Sequence, residues 1–220
     1  MIRAVIFDFD LTLADSRAGA TECVNYALRA LGLPEAAPVA IHRTVGLSLP
    51  RTFEILTGIR DRQKVDEFRR LFAARADQVM IELTTVYPEV RSVLANLRAA
   101  EMRMAVVSTK FRYRIEGILG RDGLLNEFDV IVGGEDVANH KPDPEGLLLA
   151  IAELALPAPL VAYVGDHPVD AEAAERAHLR FIAMLTGPST REEFAPFRVE
   201  KFLESLRQLP GALATLSAAS

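Results

Sequence analysis

The chain has 220 residues, 50% of them apolar and 25% charged, a composition that folds around a sizeable core and excludes intrinsic disorder. Its formal net charge is −5 and its basic residues are interspersed with acidic ones, so no cationic footprint for a nucleic-acid backbone is present and no nucleic-acid partner is expected. The single cysteine, Cys23, excludes an intramolecular disulfide framework, and its neighbours Val24 and Ala27 mark it as a small core residue.

The opening segment, MIRAVIFDFD, holds a short apolar run broken by two carboxylates. It reads as neither a secretory leader nor a membrane span, and no other stretch reaches spanning length, so a cytoplasmic protein with no membrane partner is expected. Residues 4–9 form the first predicted strand. From 15 to 85 no strand-like run appears, only helical patterns separated by Gly and Pro. Val24, Ala27, Leu28 and Leu31 make one apolar stripe, and Val65, Phe68, Phe72, Ala76 and Val79 make another, so two long helices can pack on each other. The chain returns near Tyr87 and Pro88.

Beyond that point strands and helices alternate. Apolar runs at 104–107, 130–132, 161–164 and 181–185 are predicted strands, while Val90, Val93, Leu94 and Leu97, and then Leu147, Leu148, Ile151 and Leu154, recur at helical spacing. Near-continuous Val, Ile and Phe suits strands covered on both faces. The expected class is α/β: a doubly wound, mainly parallel sheet with a Rossmann-like core and an inserted α-helical cap. The expected division is residues 1–14 and 86–220 for the core and 15–85 for the cap, which would sit over the ligand crevice as a lid. Phe202, Leu203 and Leu206 predict a last helix, and LATLSAAS a fraying end.

Four strand ends carry the polar residues. VIFDFDLTLADS delivers Asp8 and Asp10 on one side of an extended segment, with Thr12 following. Two carboxylates this close repel unless a cation sits between them, and magnesium is the default for oxygen ligands beside phosphate. The same acids can also simply end a strand. MAVVSTK presents Ser108 and Thr109 as phosphate ligands or helix caps. HKPDPEG pins Lys141 beside Pro142 and close to acids, as a charge partner for phosphate and nucleophile. YVGDHPVDAEAA sets Asp166 and Asp170 four residues apart across a turn into a helix, where they supply the remaining metal carboxylates or, for Asp170, favour the helix N-terminus.

In this order the motifs, from about Arg3 to Leu206, resemble those of the haloacid dehalogenase-like hydrolase superfamily and, within it, the phosphoglycolate phosphatase-like group. The resemblance implies that Asp8 is a nucleophile that becomes an aspartyl phosphate and that Asp10 is the general acid and base. Ser108 and Lys141 would hold the transferring phosphoryl group, and Asp166, supported by Asp170, would hold Mg2+ with Asp8 and the main-chain carbonyl of Asp10. Thr12, Thr109, Arg43 and Arg51 are further candidate substrate ligands; the two arginines, with Ser48, would meet an acidic leaving group, or else cover a solvated helix end. The implied reaction is hydrolysis of a small phosphorylated metabolite, phosphoglycolate-like or a sugar phosphate, by a monomer or homodimer.

The sequence departs from the family pattern at Leu11, Glu101 and His178, where Gly is common, and at His167, where a small hydroxyl residue is frequent. None of these removes a catalytic group. A dehalogenase would lack the acid at position 10, and a phosphonate hydrolase would need a cap lysine for an imine, whereas the one lysine within 15–85 is Lys64 on the far helix. A sugar phosphomutase or pyrophosphatase on the same scaffold, and a non-catalytic phospho-ligand-binding protein, stay open as alternatives.

Overall fold

The computed structural model describes residues 1–218. The chain enters through β1 (Ala4–Phe7) and the two-residue β2 (Ala14–Asp15), then forms four consecutive helices, α1 (Arg17–Ala30), α2 (Pro38–His42), α3 (Leu49–Thr57) and α4 (Arg62–Val79). It comes back through β3 (Thr85–Val86) and α5 (Val90–Ala99), followed by β4 (Arg103–Val107), α6 (Arg112–Arg121) and β5 (Val130–Val132). The remainder is α7 (Glu145–Leu154), β6 (Val161–Gly165), α8 (Pro168–Arg176), β7 (Arg180–Met184), β8 (Lys201–Leu203) and α9 (Leu209–Ala218).

The main sheet has six strands in the order β5-β4-β1-β6-β7-β8, and every adjacent pair is parallel. Both faces are covered, which explains why its strands read as unbroken apolar runs rather than alternating ones. Val5, Phe7, Val106, Val164 and Ile182 point into a layer closed by α5, α6 and α9. Ala4, Ile6, Ala105, Tyr163 and Phe181 point the other way, against α7 and α8. Strand order reverses direction on either side of β1, so the crevice for a ligand opens at the carboxyl ends of β1, β4 and β6.

The helices between β2 and β3 have a core of their own. Val24, Ala27 and Leu28 of α1 meet Phe68 of α4 and Phe53 of α3, whose rings lie 5.0 Å apart. Cys23 is buried against Ala76 and Met80, as its position on the α1 stripe implied. The chain leaves and re-enters the core through one short antiparallel pair, Ala14 with Val86 and Asp15 with Thr85. Among the described residues no helix is long and apolar enough to cross a membrane.

Three expectations fail locally. Phe202 and Leu203 belong to the edge strand β8, not to a helix; in three residues neither period can be read. The terminal helix is instead α9, and the described part of LATLSAAS packs into the core through Leu213 and Leu216 rather than fraying. On α7, Leu148 is 50% exposed and Ala150 takes the inward position.

Leu11, Glu101 and His178 all adopt left-handed backbone, with φ of 58°, 58° and 56°. The glycine that the family pattern favours at these places is therefore a matter of conformation: a Cβ in this region is strained, and glycine is not. Leu11 compensates by burying its side chain, 1% exposed, whereas Glu101 is exposed. Glu101→Gly is accordingly expected to stabilise the fold by about 0.5–1 kcal/mol, read as a rise in denaturation midpoint at unchanged m-value.

Candidate active site

The site begins where β1 ends. Asp8 N donates to Val164 O at 2.8 Å, extending the β1–β6 ladder by one residue, and the chain then folds into a tight loop closed by Leu13 N to Phe9 O at 2.9 Å. Left-handed Leu11 makes that reversal possible. The loop buries Asp8 (1% exposed) beneath the crevice and sends Thr12 Oγ1 to donate to Asp166 Oδ1 at 3.1 Å. Asp10 points to the open side, where its Oδ1 lies 3.2 Å from Lys110 Nζ.

β6 delivers the next acids. Asp166 follows Gly165 directly, and Asp170 stands in the first turn of α8, where its Oδ2 accepts from His167 N at 3.1 Å. Its Oδ1 accepts from Lys141 Nζ at 2.6 Å and from Tyr163 OH at 2.7 Å. Asp170 thus serves its helix terminus and orients Lys141 at once, and both its oxygens are engaged by protein donors. Lys141, on the loop after β5, also donates to Tyr163 OH at 3.1 Å and lies 3.0 Å from Asp8 Oδ1. The Lys141–Pro142 peptide bond is cis.

Asp8, Asp166 and Asp170 each offer a carboxylate oxygen within 4.8 Å of the others, and all three are buried. Among the described residues one ammonium, that of Lys141, lies within ion-pair distance of two of them, Asp8 and Asp170. Neither oxygen of Asp8 accepts an aligned hydrogen bond, and both are buried. Burial pushes Asp8 up to about 7; Lys141 opposes the rise, while Asp170 and Asp10 add to it. Burial likewise raises Asp166 well above the ordinary carboxylate range, with Asp170 and Asp8 adding to the effect. Burial would lower Lys141, but Asp170 and Asp8 outweigh it and keep the ammonium charged. Unsatisfied buried oxygens carrying excess negative charge, with an all-oxygen donor set, fit a hard divalent cation held between Asp8 and Asp166. The side chain of Asp10 is not part of this triad.

The crevice itself is a cavity of about 1120 Å³ between the inserted helices and the carboxyl ends of the strands. Asp10, Lys110, Lys141, Thr109 and Arg51 line it, as do Ser48 and His167. Arg43 is exposed and is not among the lining residues. Ser108 continues β4 by donating its N–H to Val132 O at 3.1 Å, and its Oγ accepts from Lys110 N at 3.3 Å. It caps no helix, since α6 starts at Arg112 behind Phe111. Thr109 Oγ1 donates to Gly46 O at 3.3 Å, and Arg114 holds Asp77 at 2.6 Å, so both residues tie the inserted helices to the core.

Four participants went unread in the sequence. Tyr163 is hidden inside an apolar run, yet its hydroxyl reaches Asp170. Lys110 is 6% exposed and paired with Asp10. Ser16 Oγ is buried without a hydrogen-bond partner beside the cavity. Gly187, in the loop after β7, has no sequence signal at all; a Cβ there would lie 2.0 Å from Asp166 Oδ2. Gly187→Ala is therefore expected to displace the Asp166 carboxylate and weaken divalent-cation binding about tenfold or more, measured by titration calorimetry on a folded variant.

A family profile described as haloacid dehalogenase-like hydrolase matches residues 5–184. The protein named "Probable phosphatase IndB" of Dickeya dadantii is 31% identical over 211 residues, covering 94% of this chain and 92% of that one. A phosphoglycolate phosphatase of Salmonella typhimurium is 30% identical over 233 residues, covering 96% and 92%. A solved structure from Bacteroides fragilis, classed with the haloacid dehalogenase-like hydrolases, superposes with a TM-score of 0.92 at 38% identity, covering 95% of this chain and all of that one. With the profile spanning most of the sequence and relatives aligned nearly end to end, this chain is an enzyme of the haloacid dehalogenase-like hydrolase family, in its phosphoglycolate phosphatase-like group.

Proposed function

We propose that the protein is a magnesium-dependent phosphatase that hydrolyses phosphate monoesters of small metabolites through an aspartyl-phosphate intermediate on Asp8. The observation that carries this reading is Asp8 itself: a carboxylate with no aligned hydrogen bond, buried below the crevice between Asp166 and Lys141. A structural acid would have its oxygens satisfied, whereas a nucleophile needs one oxygen free for phosphorus. The curated relatives named as phosphatases agree with the reaction class.

Mg2+ would be held by Asp8, Asp166 and the main-chain carbonyl of Asp10, with Asp170 in support, and when bound it supplies charge neutralisation at the transferring phosphoryl oxygens. Asp8 attacks phosphorus while Asp10, on the open side of the loop, gives a proton to the departing alcohol. Asp10 then takes a proton from water, which attacks phosphorus and frees Asp8. Lys141, fixed by Asp170 and Tyr163, meets phosphoryl oxygen as its charge develops, and Ser108 and Thr109 add hydroxyl and N–H donors. Thr12 orients Asp166. Residues 15–85 act as a cap whose closure excludes bulk water, moving about the β2–β3 pair.

Hydrolysis of p-nitrophenyl phosphate tests this directly. Phosphate release that requires Mg2+, stops with a chelator and returns on re-addition is the expected outcome; release unaffected by chelation, or no release at all, sinks the proposal.

A further inference from the structure

We infer that the substrate's leaving group is an uncharged, ring-bearing alcohol, a nucleoside or an aryl alcohol, rather than the small carboxylate-bearing alcohol of phosphoglycolate. This rests on the phosphatase reading above and concerns only what lies beyond the phosphoryl group. Two features of the cavity carry it.

The first is size and wall chemistry. A cavity of about 1120 Å³ lies at or above the upper end of what drug-sized ligands fill, and a glycolate moiety would leave most of it to water. Its apolar lining includes Val24, Val45, Leu47, Phe72, Met80 and Phe111, all but Phe111 from the segment between β2 and β3. Such walls reward a ring that displaces water from them.

The second is charge. Five arginines reach this cavity, and each already holds a carboxylate. Arg51 pairs with Glu54 at 3.2 Å, Arg69 with Asp66 at 3.5 Å, Arg70 with Glu67 at 2.6 Å and Arg176 with Glu172, all within their own helices. Arg114 pairs with Asp77 at 2.6 Å. The two lysines face Asp10, Asp8 and Asp170. His140 Nε2 is engaged by Gly134 O at 2.9 Å, and His167 Nδ1 accepts from Val169 N at 3.2 Å. Among the described residues every arginine and lysine lining the cavity already faces a carboxylate, so a carboxylate on the leaving group would have to displace one already there to gain a counter-charge. A neutral ring needs no such exchange.

The test is a kinetic ranking with the magnesium-loaded enzyme, using nucleoside monophosphates, phenyl and naphthyl phosphates, phosphoglycolate and phosphoserine. A kcat/KM for the best ring-bearing ester at least about tenfold above that for phosphoglycolate, carried mostly by KM, is expected; whether nucleoside or aryl esters lead identifies the ring system. Leu47→Arg, folded by circular dichroism, is expected to lower kcat/KM for the ring-bearing esters about tenfold and to raise it for phosphoglycolate. Phosphoglycolate leading the wild-type ranking, or a folded Leu47→Arg that keeps the wild-type order, overturns the inference while the phosphatase reading stands. Should that variant fail to fold, the wild-type ranking alone decides. No turnover of any ester overturns both readings.

Discussion

Asp8→Asn is expected to lower kcat by about 10⁴-fold or more while the protein stays folded, because the amide keeps the shape of the side chain and loses its nucleophilicity. The same change has an opposite effect on stability. In the cation-free protein Asp8 rises from an ordinary value of 3.8 to about 7 through burial, opposed by Lys141 and reinforced by Asp170 and Asp10. Between those two values the folded state binds more protons than the unfolded one, so stability falls as pH rises through this window. A neutral amide removes that term, and at pH 7 the gain is on the order of 4 kcal/mol in the presence of chelator. The variant should therefore melt several degrees higher than wild type without Mg2+ and show a shallower fall with pH; the slope remaining belongs to Asp166, which burial also raises. A cation-free Asp8→Asn that melts below wild type would show that the carboxylate is satisfied by groups other than a metal.

Lys141→Met is the complementary change, and its expected cost is large in both readouts. Its side chain is 5% exposed and, among the described residues, it is the one cation touching Asp8 and Asp170 together. Removing it leaves three buried carboxylates with Tyr163 OH as their remaining side-chain donor apart from Thr12, so the cation-free protein should lose about 3–5 kcal/mol, seen as a lower denaturation midpoint. Saturating Mg2+ should restore part of that loss, since an ion bound only by the folded state stabilises it by mass action. Activity should not return with it. One missing positive charge at the transferring phosphoryl group costs about 10²–10³ in kcat even where the metal is retained. Equal stability of variant and wild type in chelator would remove Lys141 from its assigned place.

Much of this was legible in the chain because the chemistry is tied to strand ends. Asp8, Ser108 and Asp166 each directly follow an apolar run of four or five residues that identifies a strand, Lys141 lies on the loop after the shorter β5, and a parallel sheet gathers those ends at one edge. The departures at Leu11, Glu101 and His178 were legible too, as places where glycine is usual, and all three are left-handed. What the sequence hid has two causes. Lys201–Leu203 and the described part of the α9 tail are too short or too small-residue-rich for a period to emerge. Tyr163, Lys110 and Gly187 act through contacts across the fold, and nothing local distinguishes a strand tyrosine that reaches an acid from one that fills a core. The cap arginines illustrate the converse. Arg43 and Arg51 look like anion ligands in a string of letters, but Arg51 is paired with Glu54 and Arg43 lies away from the cavity lining.

The most direct measurement is chemical trapping of Asp8 during turnover. Enzyme mixed with a phosphate monoester and Mg2+, quenched in acid on the millisecond scale, should carry one phosphoryl group on the peptide containing Asp8, and borohydride reduction should mark that carboxyl and no other. Steady turnover with no adduct at any quench time, or an adduct on another side chain, would contradict the account.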